Sequence, residues 1–263
     1  MNDWAPISAG KLKWARRLQT AKGREVAGEL LAEGPQAVRE ALDWGRVRHV
    51  IVAADATLAA VELAGAAEAA GRPVFLADAQ EMAAITDTVH GQGIVAVAEL
   101  PVASLDQVVA PRLVLILDEV RDPGNVGTMI RAADAFGADA VVLTTGCAEP
   151  WAPKSVRASV GSVWHLSVVT GVTFDSVAAW AKSAGLALLA TATGGTPLQQ
   201  LGGALAGPVA WVVGNEAAGL PPKHLGVANQ TVAVPMWGKA ESLNVASAAA
   251  VCLYATAVAQ RAT

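Results

Sequence analysis

Cysteine is nearly absent from this chain of 263 residues: Cys147 and Cys252 are the two it has. Their spacing fits no metal-ligand pattern, and two thiols do not make a disulfide framework at this size. Both read as reduced thiols, and no metal is expected. Charge is scarce as well. Only 16% of residues are charged and the net charge is −4, so the whole-chain field does not advertise a nucleic-acid binder. The first twenty residues mix Trp, Lys and Arg without an apolar run, and no signal peptide is predicted. The least charged stretch, 183–215, is interrupted by Gly185, Gly194, Gly195, Pro197, Gly202, Gly203, Gly207 and Pro208. It does not read as a membrane helix. No internal repeat is found. The expectation is a soluble cytoplasmic protein with no membrane partner.

Two glycine signatures are missing too. A dinucleotide site would show G-x-G-x-x-G after a strand, and Gly124-Asn125-Val126-Gly127 lacks that spacing. A Walker loop is excluded because Gly238-Lys239 is followed by Ala240 and no glycine stands five residues before Gly238. These absences count against NAD and ATP and leave room for another cofactor geometry.

What is present is apolar: 53% of residues are hydrophobic, enough for a substantial core. The pattern predicts a first α/β unit with helices at 9–20, 35–43, 58–70 and 79–85. Strands are expected at 27–32, 47–53, 74–76 and 94–98. Pro35 opens one helix where its missing N–H costs nothing, Gly71 closes another, and Asp78 caps a third. Residues 99–112, with Pro101 and Pro111, read as the connection. In the second half, strands at 113–117, 140–144, 164–169, 186–192, 210–213 and 231–234 alternate with helices at 126–136, 155–160, 174–183 and 243–260. Near-uniformly apolar strands between helices argue for a mostly parallel sheet covered on both faces. The division expected is 1–104 and 105–263.

Four groups of residues carry chemistry. Lys11, Lys13, Arg16, Arg17, Lys22 and Arg24 form a basic cluster without an acidic residue between 10 and 24. It is a solvated helix face or a phosphate-contacting patch. Leu117-Asp118-Glu119-Val120-Arg121-Asp122-Pro123-Gly124-Asn125-Val126-Gly127-Thr128-Met129-Ile130-Arg131 reads as strand, turn and helix. Asn125 can cap that helix. Arg131 lies six residues on, with Met129, Ile130, Ala132 and Ala133 expected to pack around it and reduce its solvation. About 90 residues later comes Val212-Val213-Gly214-Asn215-Glu216-Ala217-Ala218-Gly219-Leu220. A glycine at 214 lets a planar ligand approach the backbone, and Glu216 suits a helix N-terminus. Last are Val234-Pro235-Met236 and Glu241-Ser242-Leu243-Asn244-Val245-Ala246-Ser247, where Ser242 is a credible N-cap.

In this order and spacing, the last three blocks resemble the signature motifs of the SpoU/TrmH family of RNA ribose 2′-O-methyltransferases. They are closest in character to the ribosomal RNA and thiostrepton-resistance branch. The resemblance is strong over residues 112–260. Ala32-Glu33-Gly34, Val38, Glu40-Ala41-Leu42 and Gly91-Gln92-Gly93-Ile94-Val95-Ala96 extend it more weakly to a substrate-binding unit similar to small ribosomal RNA-binding proteins. The resemblance implies a deep trefoil knot, a homodimer, S-adenosylmethionine (AdoMet) as cofactor and structured RNA, ribosomal above all, as partner. It assigns AdoMet contacts to Gly214, Val234, Met236 and Leu243. Asn125, Arg131, Glu216, Ser242 and Asn244 fall at the reacting groups, and the basic cluster would hold RNA. A dimer also suits residues 243–260, whose apolar side chains cover more than one helix face.

The implied reaction is attack of a ribose 2′-hydroxyl on a sulfonium methyl. Arg131, a poor free base with its pKa above about 12, would polarise the hydroxyl, stabilise the developing alkoxide or act with an RNA phosphate. The sequence leaves three alternatives: a transfer RNA substrate, a non-catalytic RNA-binding or assembly factor, and a nicotinamide-dependent enzyme.

Overall fold

The computed structural model describes residues 3–87 and 92–262. The chain divides into two compact units, Met1–Pro101 with Glu149–His165, and Val102–Ala148 with Leu166–Thr263.

The first unit runs β1 (Ala5–Pro6), α1 (Ala9–Arg17), α2 (Ala21–Ala27), β2 (Glu29–Glu33), α3 (Pro35–Trp44), β3 (Val47–Ala53), α4 (Leu58–Ala69), β4 (Val74–Ala77), α5 (Ala79–Ala83) and β5 (Ile94–Glu99). Its sheet has the order β1-β4-β3-β5-β2, with β5 antiparallel to both neighbours. Asp78 caps α5 in a full capping box with Glu81. The helix expected at 9–20 ends at Arg17, and a second helix, α2, follows where none was expected. Thr20 stands between them: its hydroxyl accepts from Gly23 N–H and donates to the Arg17 carbonyl. Gly91, part of the sequence resemblance, lies outside the described residues.

The second unit begins with β6 (Val102–Ala103), β7 (Leu113–Leu117), α6 (Pro123–Ala135) and β8 (Ala140–Thr144). The chain then contributes α7 (Pro153–Ser159) to the first unit. There Arg157 pairs with Glu33 at 2.9 Å, and His165 Nε2 lies 3.1 Å from Glu40. The second unit resumes with β9 (Ser167–Val172), α8 (Phe174–Ser183), β10 (Ala187–Pro197), β11 (Val209–Val213), α9 (Pro222–Leu225), β12 (Gln230–Ala233) and α10 (Val245–Arg261). Trp164, expected to open a strand, sits in a short 3-10 turn instead.

The second sheet is parallel throughout, in the order β12-β10-β11-β7-β8-β9-β6. The near-uniform apolarity of Leu113–Leu117 and Val209–Val213 has its cause here: all ten residues are buried, because helices cover both faces. Val114, Ile116, Val142, Val212 and Leu188 pack with Phe174 and Val177 of α8. Trp211, fully buried, donates its indole N–H to Thr256 of α10 at 2.8 Å. From β7 the chain moves outward to β8 and β9, then returns to the other side for β10 and β11. The strand order therefore reverses between β7 and β11. In parallel α/β sheets, ligands bind beyond the carboxyl ends of the strands at such a switch point.

Candidate active site

The loops after β7 and β11, two adjacent strands, carry the first two motifs. The backbone turns sharply as β7 ends. Asp118 N–H donates to Val213 carbonyl at 2.8 Å, and Glu119 takes a positive φ of 53°. A left-handed conformation costs a non-glycine residue about 1 kcal/mol or more. Two contacts hold it there: Thr144 hydroxyl accepts from Glu119 N–H at 3.2 Å, and Asn215 Nδ2 donates to Glu119 carbonyl at 3.0 Å.

Beneath this turn is a buried polar cluster that the sequence reading missed. Asp118 Oδ1 accepts from Thr144 at 2.9 Å, and Asp118 Oδ2 lies 2.6 Å from His224 Nδ1 of α9. The Phe174 ring stacks on His224 at 3.8 Å. A polar residue ending an otherwise apolar strand, Asp118, was the available signal. Its partners, 26 and 106 residues away, had none.

Three of the expected site residues converge above. Asn125 Nδ2 donates to Glu216 Oε1 at 3.1 Å, and Asn244 Nδ2 donates to Asn125 Oδ1 at 3.1 Å. Glu216 also accepts from the backbone N–H groups of Asp122 at 3.1 Å and Arg121 at 3.3 Å. Its carboxylate thus sits at the start of α6, where the helix dipole favours negative charge. Partial burial raises its pKa, but hydrogen bonds from Asn125, its own backbone, Asp122 and Arg121 outweigh this and hold it below the usual carboxylate range.

Several expectations are corrected. Asn125 does not cap α6; Asp122 does, accepting from Asn125 N–H at 2.9 Å, and the freed Asn125 amide joins Glu216 and Asn244. Ser242 and Leu243 precede α10 rather than belonging to it, and the N-cap is Asn244, whose Oδ1 accepts from Ala246 and Ser247 N–H. Ser242 is exposed. Arg131 is not wrapped by apolar neighbours: Met129, Ile130 and Ala133 are buried on the opposite side of α6, and Arg131 is exposed with no acidic partner among the described residues. Arg24, expected in the exposed basic cluster, is buried. It is 3% exposed, makes a two-point ion pair with Glu149 and donates to Leu18 carbonyl at 2.7 Å. Lys11 is held over the Phe75 ring at 5.0 Å. Lys13, Arg16, Arg17 and Lys22 remain exposed.

Gly214 is required by the packing of its own loop. A Cβ there would meet the Gly219 carbonyl carbon at 2.5 Å and Leu220 N at 2.7 Å. The close approach comes from the chain's own loop. Gly195, in the extended end of β10, is likewise pressed against Thr231 and Val232 of β12, where an added Cβ would fall 2.7 Å from Val232 N. The end of β10 and the loop following β11 are therefore closely packed. The stretch after β12 differs: among the described residues, 234–243 make no hydrogen bond to other backbone. Met236 and Leu243 are 38% and 39% exposed. Unpaired backbone donors and acceptors beside uncovered apolar side chains suit a purine nucleoside without phosphates. The residues present fit AdoMet. Among the described residues no His/Cys/Asp/Glu group could hold a metal ion, and no helix is long and apolar enough to cross a membrane.

The sequence model of the SpoU rRNA Methylase family matches residues 112–254, and that of the MRM3-like substrate binding domain matches residues 10–96. The chain belongs to the SpoU rRNA methylase family. It is 36% identical to the 23S rRNA (guanosine(2553)-2′-O)-methyltransferase RlmP of Bacillus subtilis, over 93% of this chain and 94% of that one. Two crystal structures are similar in fold. One is the AdoMet-bound rRNA methyltransferase of Sinorhizobium meliloti, with a TM-score of 0.82 and 29% identity, covering 96% of this chain and 95% of that one. The other is the SpoU methyltransferase AviRb of Streptomyces viridochromogenes in complex with AdoMet. Its TM-score is 0.83 at 27% identity, covering 97% of this chain and 100% of the other.

Proposed function

We propose that this family member transfers a methyl group from AdoMet to a ribose 2′-hydroxyl of 23S ribosomal RNA in the cytoplasm. The observation that carries the reading is the Glu216–Asn125–Asn244 chain, which joins one residue from each of the three motifs through hydrogen bonds of 3.1 Å. AdoMet supplies an electrophilic sulfonium methyl and a neutral thioether leaving group. The chain's residues must hold the acceptor in line and handle its proton.

In this reading Gly214, Val234, Met236 and Leu243 line the adenosine site, Gly214 by keeping its loop closely packed. Asn125 and Asn244 present fixed amides to the ribose, and Glu216 fixes them in turn. Ser242, exposed beside Asn244, is a further polar contact for the acceptor. Arg131 offers a guanidinium to the 2′-hydroxyl and the adjacent phosphate. Because α6 leaves Arg131 in solvent, RNA or a second protomer must cover it before its field is strengthened. The trefoil knot and a homodimer belong to the same proposal. Val251, Tyr254 and Val258 of α10 are 40%, 58% and 51% exposed, and Phe136, the C-cap of α6, packs edge-on against Tyr254 at 5.7 Å. This apolar face would meet its copy. Residues 1–104 would be the RNA-recognition domain and 105–263 the catalytic one, with α7 lending its contacts to the former.

The test is tritium-labelled methyl transfer to unmodified 23S ribosomal RNA, with transfer RNA as the competing acceptor. Label should enter the 23S molecule and protect one phosphodiester bond from alkaline cleavage, because a methylated 2′-oxygen cannot attack it. Label on a base, label only in transfer RNA, or no transfer would overturn the assignment.

A further inference from the structure

Between α1 and α2, the first unit has a surface cavity of about 270 Å³ lined by Trp14, Arg17, Lys22 and Val26, with Thr20 and Gly23 at the corner. Trp14 is 38% and Val26 77% exposed, so two large apolar groups stand uncovered beside two cations. Lys13 and Arg16 are exposed on the same helix, and between residues 9 and 27 the acidic side chain is Glu25 alone. Positive charge dominates the rim.

The corner is rigid. Any side chain at Gly23 would fall 1.8 Å from Arg17 carbonyl oxygen, so the two helices meet as tightly as backbone allows. Thr20 hydroxyl joins Arg17 carbonyl at 2.9 Å and Gly23 N–H at 3.1 Å. From below, Arg24 donates to Leu18 carbonyl at 2.7 Å. The indole is oriented as well: Trp14 Nε1 donates to Glu29 Oε2 at 2.7 Å, so one ring edge is fixed. The same Glu29 faces Arg48 at 3.6 Å, and Arg48 pairs with Glu99 at 2.8 Å. Arg46, Arg48 and Arg72 with Glu99 line a second, polar cavity. Glu29 thus links the Trp14 corner to a strip of three arginines within one unit.

We propose that the Trp14 corner is a nucleotide subsite: one unpaired base of the RNA substrate stacks on the indole, and its neighbouring phosphates contact Arg17 and Lys22. This rests on the methyltransferase reading for the identity of the RNA. The cavity lies just below the roughly 300 Å³ at which sites for drug-sized ligands begin, so it takes a single planar ring system. Aromatic stacking is tolerant of base identity, and cations beside it follow the backbone, the combination used to hold single-stranded nucleic acid. A fixed indole adds to affinity by lowering the ordering cost of binding. An aliphatic protein partner would match Val26 but leave the surrounding cations without partners.

The experiment measures binding of the full chain to a short fluorescein-labelled single-stranded oligoadenylate, and to an abasic ribose-phosphate oligomer of equal length. Trp14→Leu keeps apolar bulk and removes the aromatic face. It should weaken oligoadenylate binding about tenfold and leave abasic binding unchanged, while Trp14→Phe retains most of the affinity. Arg17→Ala with Lys22→Ala should weaken both oligomers and flatten their salt dependence. Thermal unfolding of each variant checks that the corner is intact. If Trp14→Leu weakens both oligomers alike, or neither, the stacking site is wrong. Methyl transfer by the wild-type protein is scored separately: that activity with no Trp14 effect sinks the subsite alone, whereas a base-dependent Trp14 effect without any methyl transfer sinks the enzymatic reading alone.

Discussion

Asn244 Nδ2 donates to Asn125 Oδ1 across 3.1 Å, tying the N-cap of α10 to the first turn of α6. The direction of that bond is set from its far end. Glu216 is an ionised acceptor, so Asn125 must turn its NH₂ toward it and its oxygen toward Asn244. Asn244 then presents NH₂ to Asn125 and keeps its own oxygen for Ala246 and Ser247 N–H. One carboxylate orients two amides and a helix cap.

Glu216→Gln tests this chain. A glutamine can turn its NH₂ to Asn125, which would reverse both asparagines and uncap α10. The expected cost is about 1–2 kcal/mol, from one lost cap and weakened charge-assisted bonds, together with a clear fall in methyl transfer. Urea denaturation and single-turnover rates check it. The carboxyl is held below the ordinary range, so its contribution is present above the unfolded pKa and lost only as pH falls through the depressed folded value. No loss from this group is expected near neutrality. A Glu216→Gln protein with wild-type stability and rate would show that the relay carries neither.

The parallel sheet was readable because burial on both faces leaves strands apolar throughout, and β3, β7 and α8 fall where the pattern expected them. α2 was hidden, since its seven residues include Gly23 and carry too few apolar positions to show a helical period. Grouping of Glu149–His165 with the first unit rests on long-range ion pairs such as Arg24–Glu149 and Arg157–Glu33. Those have no local signature. Within the site, Asn125, Glu216 and Asn244 were legible as motif residues. Their bonding was not, because it depends on which atom of each amide faces which loop. Gly214 shows the same limit: the requirement for glycine was visible, and the Gly219–Leu220 backbone that imposes it was not.

His49 is expected to make the first unit sensitive to acid. It lies 9% exposed in β3, edge-on to Phe75 at 5.6 Å, and its Nε2 has no hydrogen-bond partner among the described residues. Burial, with Lys11 as a smaller cause, lowers its pKa to about 4. The unfolded chain, with an ordinary value of about 6.5, therefore binds this proton before the folded one. Stability should be full above about pH 6.5 and decline toward pH 4, by up to about 3 kcal/mol. His49→Leu should flatten that slope. Identical pH slopes for the two proteins in urea titrations would exclude His49 as the cause.

Tyr254 tests the proposed dimer. It is 58% exposed in the middle of the apolar α10 face, so its substitution should leave protomer stability within about 0.5 kcal/mol. Tyr254→Asp places a charge where two such faces would meet. Sedimentation at micromolar concentration should show wild-type dimers and a largely monomeric variant. A variant that sediments as the wild type does would move the interface elsewhere.

Arg131 carries the sharpest expectation about chemistry. It stands six residues after Asn125 on α6, but Asn125 turns toward Glu216 and Asn244 while Arg131 is exposed. The adenosine contacts proposed for the stretch after β12 do not include it. Arg131→Ala should therefore fold and bind AdoMet normally by calorimetry. Its single-turnover methyl transfer at saturating RNA should fall at least about a hundredfold, the usual scale for losing one positioned proton-transfer or oxyanion-stabilising group. Arg131→Lys should recover little, because an ammonium does not reproduce the planar fork that spans a hydroxyl and a phosphate. Exposure sharpens the test: with solvent around it in the free protomer, Arg131 can act only once RNA or a second protomer excludes water, so the defect should appear in the chemical step and not in cofactor affinity. A wild-type rate in Arg131→Ala would leave α6 as a structural helix and pass the hydroxyl's proton to another group.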